Sequence, residues 1–320
     1  MTTETAGTQR RRRIARWGPA GWGAILAVVV LGLAGCASSG PSRPGASPGA
    51  TCTVDADVDS VPKVMPGAVV CMSGTLDSRL VITAGGTPDL PVTYTGRDAT
   101  VAGIDVLTSN VVVEGFASTD AHSMGAKLQG DGIVFQDNTI SHPVYAGDDT
   151  DGIRFFGDHI TMRNNTISDV DDGSDCDEDG CGDGPHPDCF QTYYSSEYPT
   201  SSDVVIDGNR CENAAAQCLI AEGPNLPDEG VHGPGASADW RFSDNYCDDG
   251  AAQALMIKNI QNVSITGNDF EGHNNKAIAL ADGSTGAYVD GNKLNPDIPK
   301  LITFDDALEA SGYRGPQPDE

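Results

Sequence analysis

Positive charge is scarce in this 320-residue chain: 19 lysines and arginines face 46 aspartates and glutamates, a formal net charge of −27. That balance excludes a protein that holds nucleic acid by neutralising phosphates. Aromatic rings are few, at 8 Phe, 8 Tyr and 3 Trp, against 39 glycines. The ratio argues against a helical bundle and for a β architecture with many turns. Long apolar runs are missing too. Residues 24–33 (AILAVVVLGL) make a run too short to span a bilayer comfortably. No CxxC pair occurs among the nine cysteines, which weighs against zinc. At 38% apolar residues, wholesale disorder is excluded as well.

What is present begins with an address. Arg10, Arg11, Arg12, Arg13 and Arg16 form a basic segment before the apolar run, which ends in Leu33-Ala34-Gly35-Cys36. This spelling resembles the lipobox of bacterial lipoproteins, in which the cysteine is acylated and becomes the mature N-terminus. The alternative is a secretory signal with Cys36 incidental. On the lipoprotein reading residues 1–35 are a signal peptide and residues 36–50 a flexible Ser/Gly/Pro tether. An exported, membrane-anchored domain is expected, touching the membrane through the lipid only. Removing residues 1–35 takes away five arginines and Glu4, leaving 14 basic and 45 acidic side chains, net −31.

Eight cysteines follow Cys36: Cys52, Cys71, Cys176, Cys181, Cys189, Cys211, Cys218 and Cys247. In an exported protein an even eight reads as up to four disulfides. Cys52–Cys71 and Cys176–Cys181 are the pairings closest in sequence, and the last four could join neighbouring layers. Spacing alone leaves the connectivity open.

From about residue 100 one phrase recurs: an apolar alternation, then Gly or Asp (once Asn), then Asn. It ends at Asn138, Asn165, Asn209, Asn245, Asn268 and Asn292, with spacings of 27, 44, 36, 23 and 24. Val111-Val112-Val113-Glu114-Gly115-Phe116 is a degenerate earlier copy. The period-2 alternation makes each copy a strand with one inward face. A unit near 23 residues fits one turn of a solenoid of three short strands, and an inward Asn could bond the amides above and below it. The pattern resembles the right-handed parallel β-helix of pectate-lyase-like proteins, over roughly residues 100–296. The expected fold is therefore all-β, a single right-handed parallel β-helix over residues 98–296. Residues 51–97 read as an N-terminal cap and first coil. Residues 297–320 read as a C-terminal cap, with a short capping helix after Thr303-Phe304-Asp305-Asp306. The resemblance implies no single activity, because this scaffold carries lyases, hydrolases, epimerases and adhesins.

A second strand precedes each Asn phrase. Aligned, these strands are Ile153-Arg154-Phe155-Phe156, Phe190-Gln191-Thr192-Tyr193, Leu219-Ile220-Ala221-Glu222, Leu255-Met256-Ile257-Lys258 and Ile278-Ala279-Leu280-Ala281. First and third positions point inward. Arg154 and Gln191 then share one outward column, and Phe156, Tyr193, Glu222 and Lys258 the next. Asp151, Asp188 and Gln217 stand just before the strands, with His186 slightly earlier. The same coils carry the large insertions 169–186, 194–203 and 223–239, as loops beside a groove would. His186, Asp188 and Gln191 form an H-x-D-x-x-Q pattern, partly similar to the D-P-H-D core of bacterial mannuronan epimerases. The N-T-D and G-H-G signatures of polygalacturonases are absent.

Asp175, Asp177 and Asp179 with Gly180 spell D-x-D-x-D-G, and Asp183 adds a further acid. Alternate oxygen ligands suit Ca2+, the expected cofactor, though His186 at the twelfth position departs from an EF-hand. The expected function is a lyase that cleaves a uronic-acid polysaccharide by β-elimination, the chain working as a monomer. Lys258 or His186 would be the base and Arg154 the carboxylate partner, with Asp188, Gln191 and Glu222 also at the reacting centre. Tyr193, Phe156, Asp151 and Gln217 would hold substrate. A hydrolase would instead use two carboxylates, such as Asp188 with Glu222 or Asp151. A non-catalytic carbohydrate-binding or structural solenoid is the third reading.

Overall fold

Strands of two to ten residues recur at the spacing of the repeat. The computed structural model describes residues 51–146, 149–171, 186–194, 196–197, 200–224 and 237–318. These fall in one of the two compact units of the chain, Arg43–Glu320. Nine strands, from Leu80–Ile82 to Ile302–Phe304, form one sheet in unbroken chain order. The other sheet is two ladders joined by the long strand Val92–Val101. Its first half pairs with Val111–Glu114 and its second half with Ala117–Thr119. One turn of chain thus gives one strand to each of three ladders, and strands of successive turns pair in parallel. This is a parallel β-helix.

Register carries the alternation into the core. Ile153, Phe190, Leu219, Leu255 and Ile278 stand in line on five adjacent strands, and all five are fully buried. Each such side chain contributes roughly 1.5–3 kcal/mol by leaving water. A one-residue slip would turn every one of them outward, so the pattern permits a single register.

One corner is held by an asparagine ladder. The backbone N–H of Asn138 donates to Asn165 Oδ1 at 3.0 Å, that of Asn165 to Asn209 at 2.9 Å, and so on through Asn245 and Asn268 to Asn292. Each side-chain amide also donates to a carbonyl of the coil below, as Asn209 Nδ2 does to Met162 O at 2.9 Å. The residue before each asparagine explains the rest of the phrase. Asp137, Asn164, Gly208, Asp244, Gly267 and Gly291 all have φ between 53° and 69°. Left-handed backbone admits Gly, Asn and Asp with least strain, and those are the residues found.

Among the described residues three disulfides fasten the coils: Cys52–Cys71, Cys189–Cys211 and Cys218–Cys247. The last two lie in adjacent turns, since Cys211 and Cys247 are register partners. Disulfides of this kind belong to an oxidising compartment. The signal peptide and tether with Cys36, and the pair Cys176 and Cys181, lie outside the described residues. Among the described residues no helix is long and apolar enough to cross a membrane.

The C-terminal end departs from expectation. Residues 305–312 form turns rather than a capping helix. The segment opens with the bonds of a helix cap, Asp306 N–H donating to Glu309 Oε2 and Leu308 N–H to Asp306 Oδ1. The buried Glu309 carboxylate also accepts from Gly283 N–H at 2.7 Å, tying the turn to the last coil. The turn goes no further, because Ser311 N–H and Tyr313 N–H reach back only three residues, to Leu308 O and Ala310 O, and Gly312 is left-handed at φ 72°.

Asp249 and Asn274 form a second buried polar contact, with Asn274 Nδ2 donating to Asp249 Oδ1 at 2.7 Å. Asp249 Oδ2 and Asn274 Oδ1 have no partner, so a proton on Asp249 would close a two-bond pair. Burial pushes this carboxyl up to about 7.

Two outcomes are expected. Asn209→Ala should lower the unfolding free energy by about 2–4 kcal/mol, because it orphans the Asn165 amide and deletes further bonds; denaturant titration at wild-type stability would contradict the ladder's role. The folded carboxyl of Asp249 titrates above its unfolded value, so its stabilisation is complete below about pH 4 and lost as pH rises through about 7. The thermal midpoint should therefore fall between about pH 5 and about pH 8, and Asp249→Asn should shrink that fall.

Candidate functional site

The nine-stranded sheet turns one face outward, and its middle strands carry the polar residues. Arg154 on Ile153–Phe156 and Gln191 on Phe190–Thr192 are register partners, about 4.8 Å apart as neighbouring strands are. Both point away from the core yet are largely buried, 8% and 4% exposed. Alternation sets the direction of a side chain; what lies over it is a matter of tertiary packing.

Around Arg154 the charges are arranged closely. Its Nε donates to Asp151 Oδ2 at 2.7 Å, and its Nη2 lies 2.5 Å from the same oxygen and 3.1 Å from Asp149 Oδ2. Its Nη1 donates to none of the described residues. Asp149 Oδ1 accepts from the backbone N–H of His186 at 3.3 Å, which brings the exposed His186 beside the guanidinium. Tyr193 completes the surround. Its ring lies 5.7 Å from the Arg154 carbon and packs edge-on against Phe156 at 5.1 Å.

Behind Arg154, Asp151 and Asp188 occupy the same corner of successive coils, both fully buried. Asp188 Oδ1 accepts from Gln217 N–H at 2.7 Å and Oδ2 from Gln191 Nε2 at 3.3 Å. Gln217 thus contributes its backbone. Burial pushes Asp151 up to about 7 against the opposing pull of Arg154. Asp188 is raised well above the ordinary carboxylate range, first by burial and then by Asp151. Asp151 Oδ1 and Gln191 Oε1 are buried acceptors without a partner. A proton shared by the two carboxyls relieves their repulsion and supplies a donor for one of these atoms. Burial also works against the Arg154 charge, but Asp151 outweighs it and the guanidinium stays protonated.

Two other residues from the sequence pair with each other. Lys258 Nζ donates to Glu222 Oε1 at 2.5 Å, and both are half-buried. The strands run in the order Ile153–Phe156, Phe190–Thr192, Leu219–Glu222, Gln253–Lys258. Lys258 therefore lies three coils from Arg154, roughly 14 Å along the axis. The structure gathers Asp151, Arg154, His186, Asp188, Gln191, Tyr193 and Phe156; Glu222 borders a small pocket with Tyr193, and its ion-pair partner Lys258 lies one coil further on. Asp175, Asp177, Asp179 and Asp183 lie outside the described residues. The one described group of three metal-type ligands is Cys52, Asp55 and Cys71, whose sulfurs are bonded to each other. Asp149 is the member that sequence reading passed over. Its signal was an acid five residues before Arg154, hidden in the run Asp148-Asp149-Thr150-Asp151.

A groove of about 750 Å³ lies elsewhere, lined by Pro88, Pro91, Val112, Val134 and His159 among others. It holds no comparable cluster of charges.

Arg154→Met leaves a buried acid uncompensated and should cost about 3–5 kcal/mol at pH above 7. The loss should shrink at about pH 5, where Asp151 is protonated, and Asp151→Asn in the same chain should recover part of it. Denaturation at both pH values checks this; an equal loss at both would contradict the pairing.

Residues 102–294, more than half of the chain, match the family described as right handed beta helix region. No curated protein matches the sequence. Similar solved structures include a tailspike protein mutant of E. coli bacteriophage HK620 in complex with a pentasaccharide. It is 12% identical with a TM-score of 0.48, over 78% of this chain and 53% of that one. A mannuronic acid specific polysaccharide family 6 lyase from human gut microbiota is 13% identical, with a TM-score of 0.45 over 78% and 66%. An alginate lyase from Paenibacillus sp. str. FPU-7 is 16% identical, with a TM-score of 0.41 over 82% and 97%. The chain spans about half the length of the tailspike and 66% of the gut lyase. At such identities the likeness is one of fold. With the stacked coils and the parallel register, the match over residues 102–294 makes the chain a member of the right-handed parallel β-helix family.

Proposed function

We propose that this protein acts outside the cytoplasm on a polysaccharide carrying uronic acids, and cleaves it by β-elimination. The observation that carries the reading is Arg154: a guanidinium fixed by two aspartates, with one nitrogen edge unused and an aromatic pair alongside. A site of that kind suits a sugar carboxylate lying beside a ring face. Elimination needs the carboxylate charge stabilised while a base removes the C5 proton, the C4–C5 double bond forms and the bond from C4 to the leaving oxygen breaks. That oxygen is then reprotonated.

Arg154 is the carboxylate partner in this scheme. His186 suits the base better than Lys258, since its backbone shares Asp149 with Arg154 and it is exposed. Lys258 is ion-paired with Glu222 and lies three coils away. A hydrolase finds less support, because Asp151 and Asp188 are both fully buried and Glu222 is paired. Calcium at residues 175–183 and a lipid on Cys36 belong to the same proposal and rest on the sequence alone.

Mannuronan, polygalacturonate and glucuronan should yield unsaturated, ultraviolet-absorbing ends. Chelation should slow the reaction and added Ca2+ restore it. His186→Ala should lower kcat by about 10²–10⁴-fold while the fold is kept. New reducing ends without the absorbance would overturn elimination, and full activity in His186→Ala would overturn the base.

A further inference from the structure

The outward column that holds Arg154 continues one coil towards the N-terminus. On Ala126–Gln129, Lys127 is the register partner of Arg154 on one side and of Asp105 on the other. Asp105 is the natural partner for this ammonium, but it is already engaged. Arg79 Nε donates to both its oxygens at 3.0 Å and Arg79 Nη2 to Oδ1 at 2.6 Å. On the other side stands a second cation. Lys127 is half-buried, and among the described residues its Nζ has neither a hydrogen bond nor an ion pair.

Two like charges in direct register on neighbouring strands destabilise a sheet. Asp149 and Asp151 already hold Arg154, so the ammonium of Lys127 is the charge left without an opposite in a chain with 46 acids and 19 bases, and the arrangement needs a reason. An anion lying over the pair supplies one, meeting Lys127 Nζ and the unused Nη1 of Arg154 together. Gln129 lies beside Phe156 in the next outward column, as Lys127 lies beside Arg154. Lys127 with Gln129, Arg154 with Phe156, and Gln191 with Tyr193 therefore make successive rungs.

We propose that Lys127 is a second carboxylate-binding position, one coil from Arg154, for the adjoining unit of an anionic glycan laid along the helix axis. This rests on the reading of the substrate as a uronic-acid polymer. The coil spacing of about 4.8 Å is comparable with the length of one sugar ring, so neighbouring acidic units would meet neighbouring cations.

Calorimetric titration with oligouronates of increasing length, prepared from mannuronan and polygalacturonate, tests the assignment. Lys127→Gln should weaken binding of the longer oligomers about tenfold and leave the shortest unchanged. Its salt dependence should be shallower than that of the wild type. Lys127→Arg should restore both. The melting temperature of Lys127→Gln should stay level or rise, because a repulsion is removed; a merely structural lysine would lower it. If the wild type binds oligouronates and Lys127→Gln binds them equally well, this position is overturned and the substrate reading stands. If the wild type binds none of them, both fall together.

Discussion

From Asn138 to Asn292 the coils bury polar backbone at one corner, and its partner is the same corner of the next coil. The asparagine ladder from Asn138 to Asn292 is how that demand is met, with each side chain accepting an amide from the coil below and donating to a carbonyl of that same coil. Because the bonds are reciprocal, one coil's corner fixes the height and rotation of its neighbour. The inward rows of Ile153, Phe190, Leu219 and Leu255 then stack without slip. Left-handed residues before each asparagine bend the chain into place, and two adjacent disulfides close the turns that carry the site. The rest of the architecture follows from that corner.

The site inherits the same rule. Residues at equivalent places in successive coils face one another at strand spacing, so like groups accumulate. Asp151 and Asp188 become a buried acid pair, and Lys127 and Arg154 a cation pair. A stack of this kind is unstable unless something of opposite sign or a shared proton intervenes. Arg154 meets that need for the acids from one side, at the cost of binding tightly to Asp151 and Asp149. What remains is one guanidinium edge and one ammonium on the outer face. On the proposed reading, these two positions are where an acidic protein would meet an anionic substrate.

Much of this was legible before any coordinates. The Gly/Asp-Asn phrase could be read because few residues tolerate left-handed backbone, and the strand alignment around Arg154 because period-2 alternation leaves only one register. Pairing of Cys189, Cys211, Cys218 and Cys247 could not be read from spacing. Insertions of differing length separate these cysteines, yet the insertions do not move the corners. The burial of Arg154 escaped for a related reason: outward direction is written in the strand, but cover is not. The expected C-terminal helix is cut to a capped turn, because Gly312 takes left-handed backbone and the amides of Ser311 and Tyr313 reach back three residues rather than four. Lys258 looked available until Glu222, its register partner, was seen to hold it.

On the proposed function, the outward face of the nine-stranded sheet, at Arg154, receives a sugar carboxylate. A crystal structure with a bound oligouronate tests it most directly. The account predicts a carboxylate on Arg154 Nη1, a sugar ring against Tyr193, and the oligomer running along the helix axis. A ligand seated instead in the groove beside Pro91 and Val134, with Arg154 untouched, would contradict it.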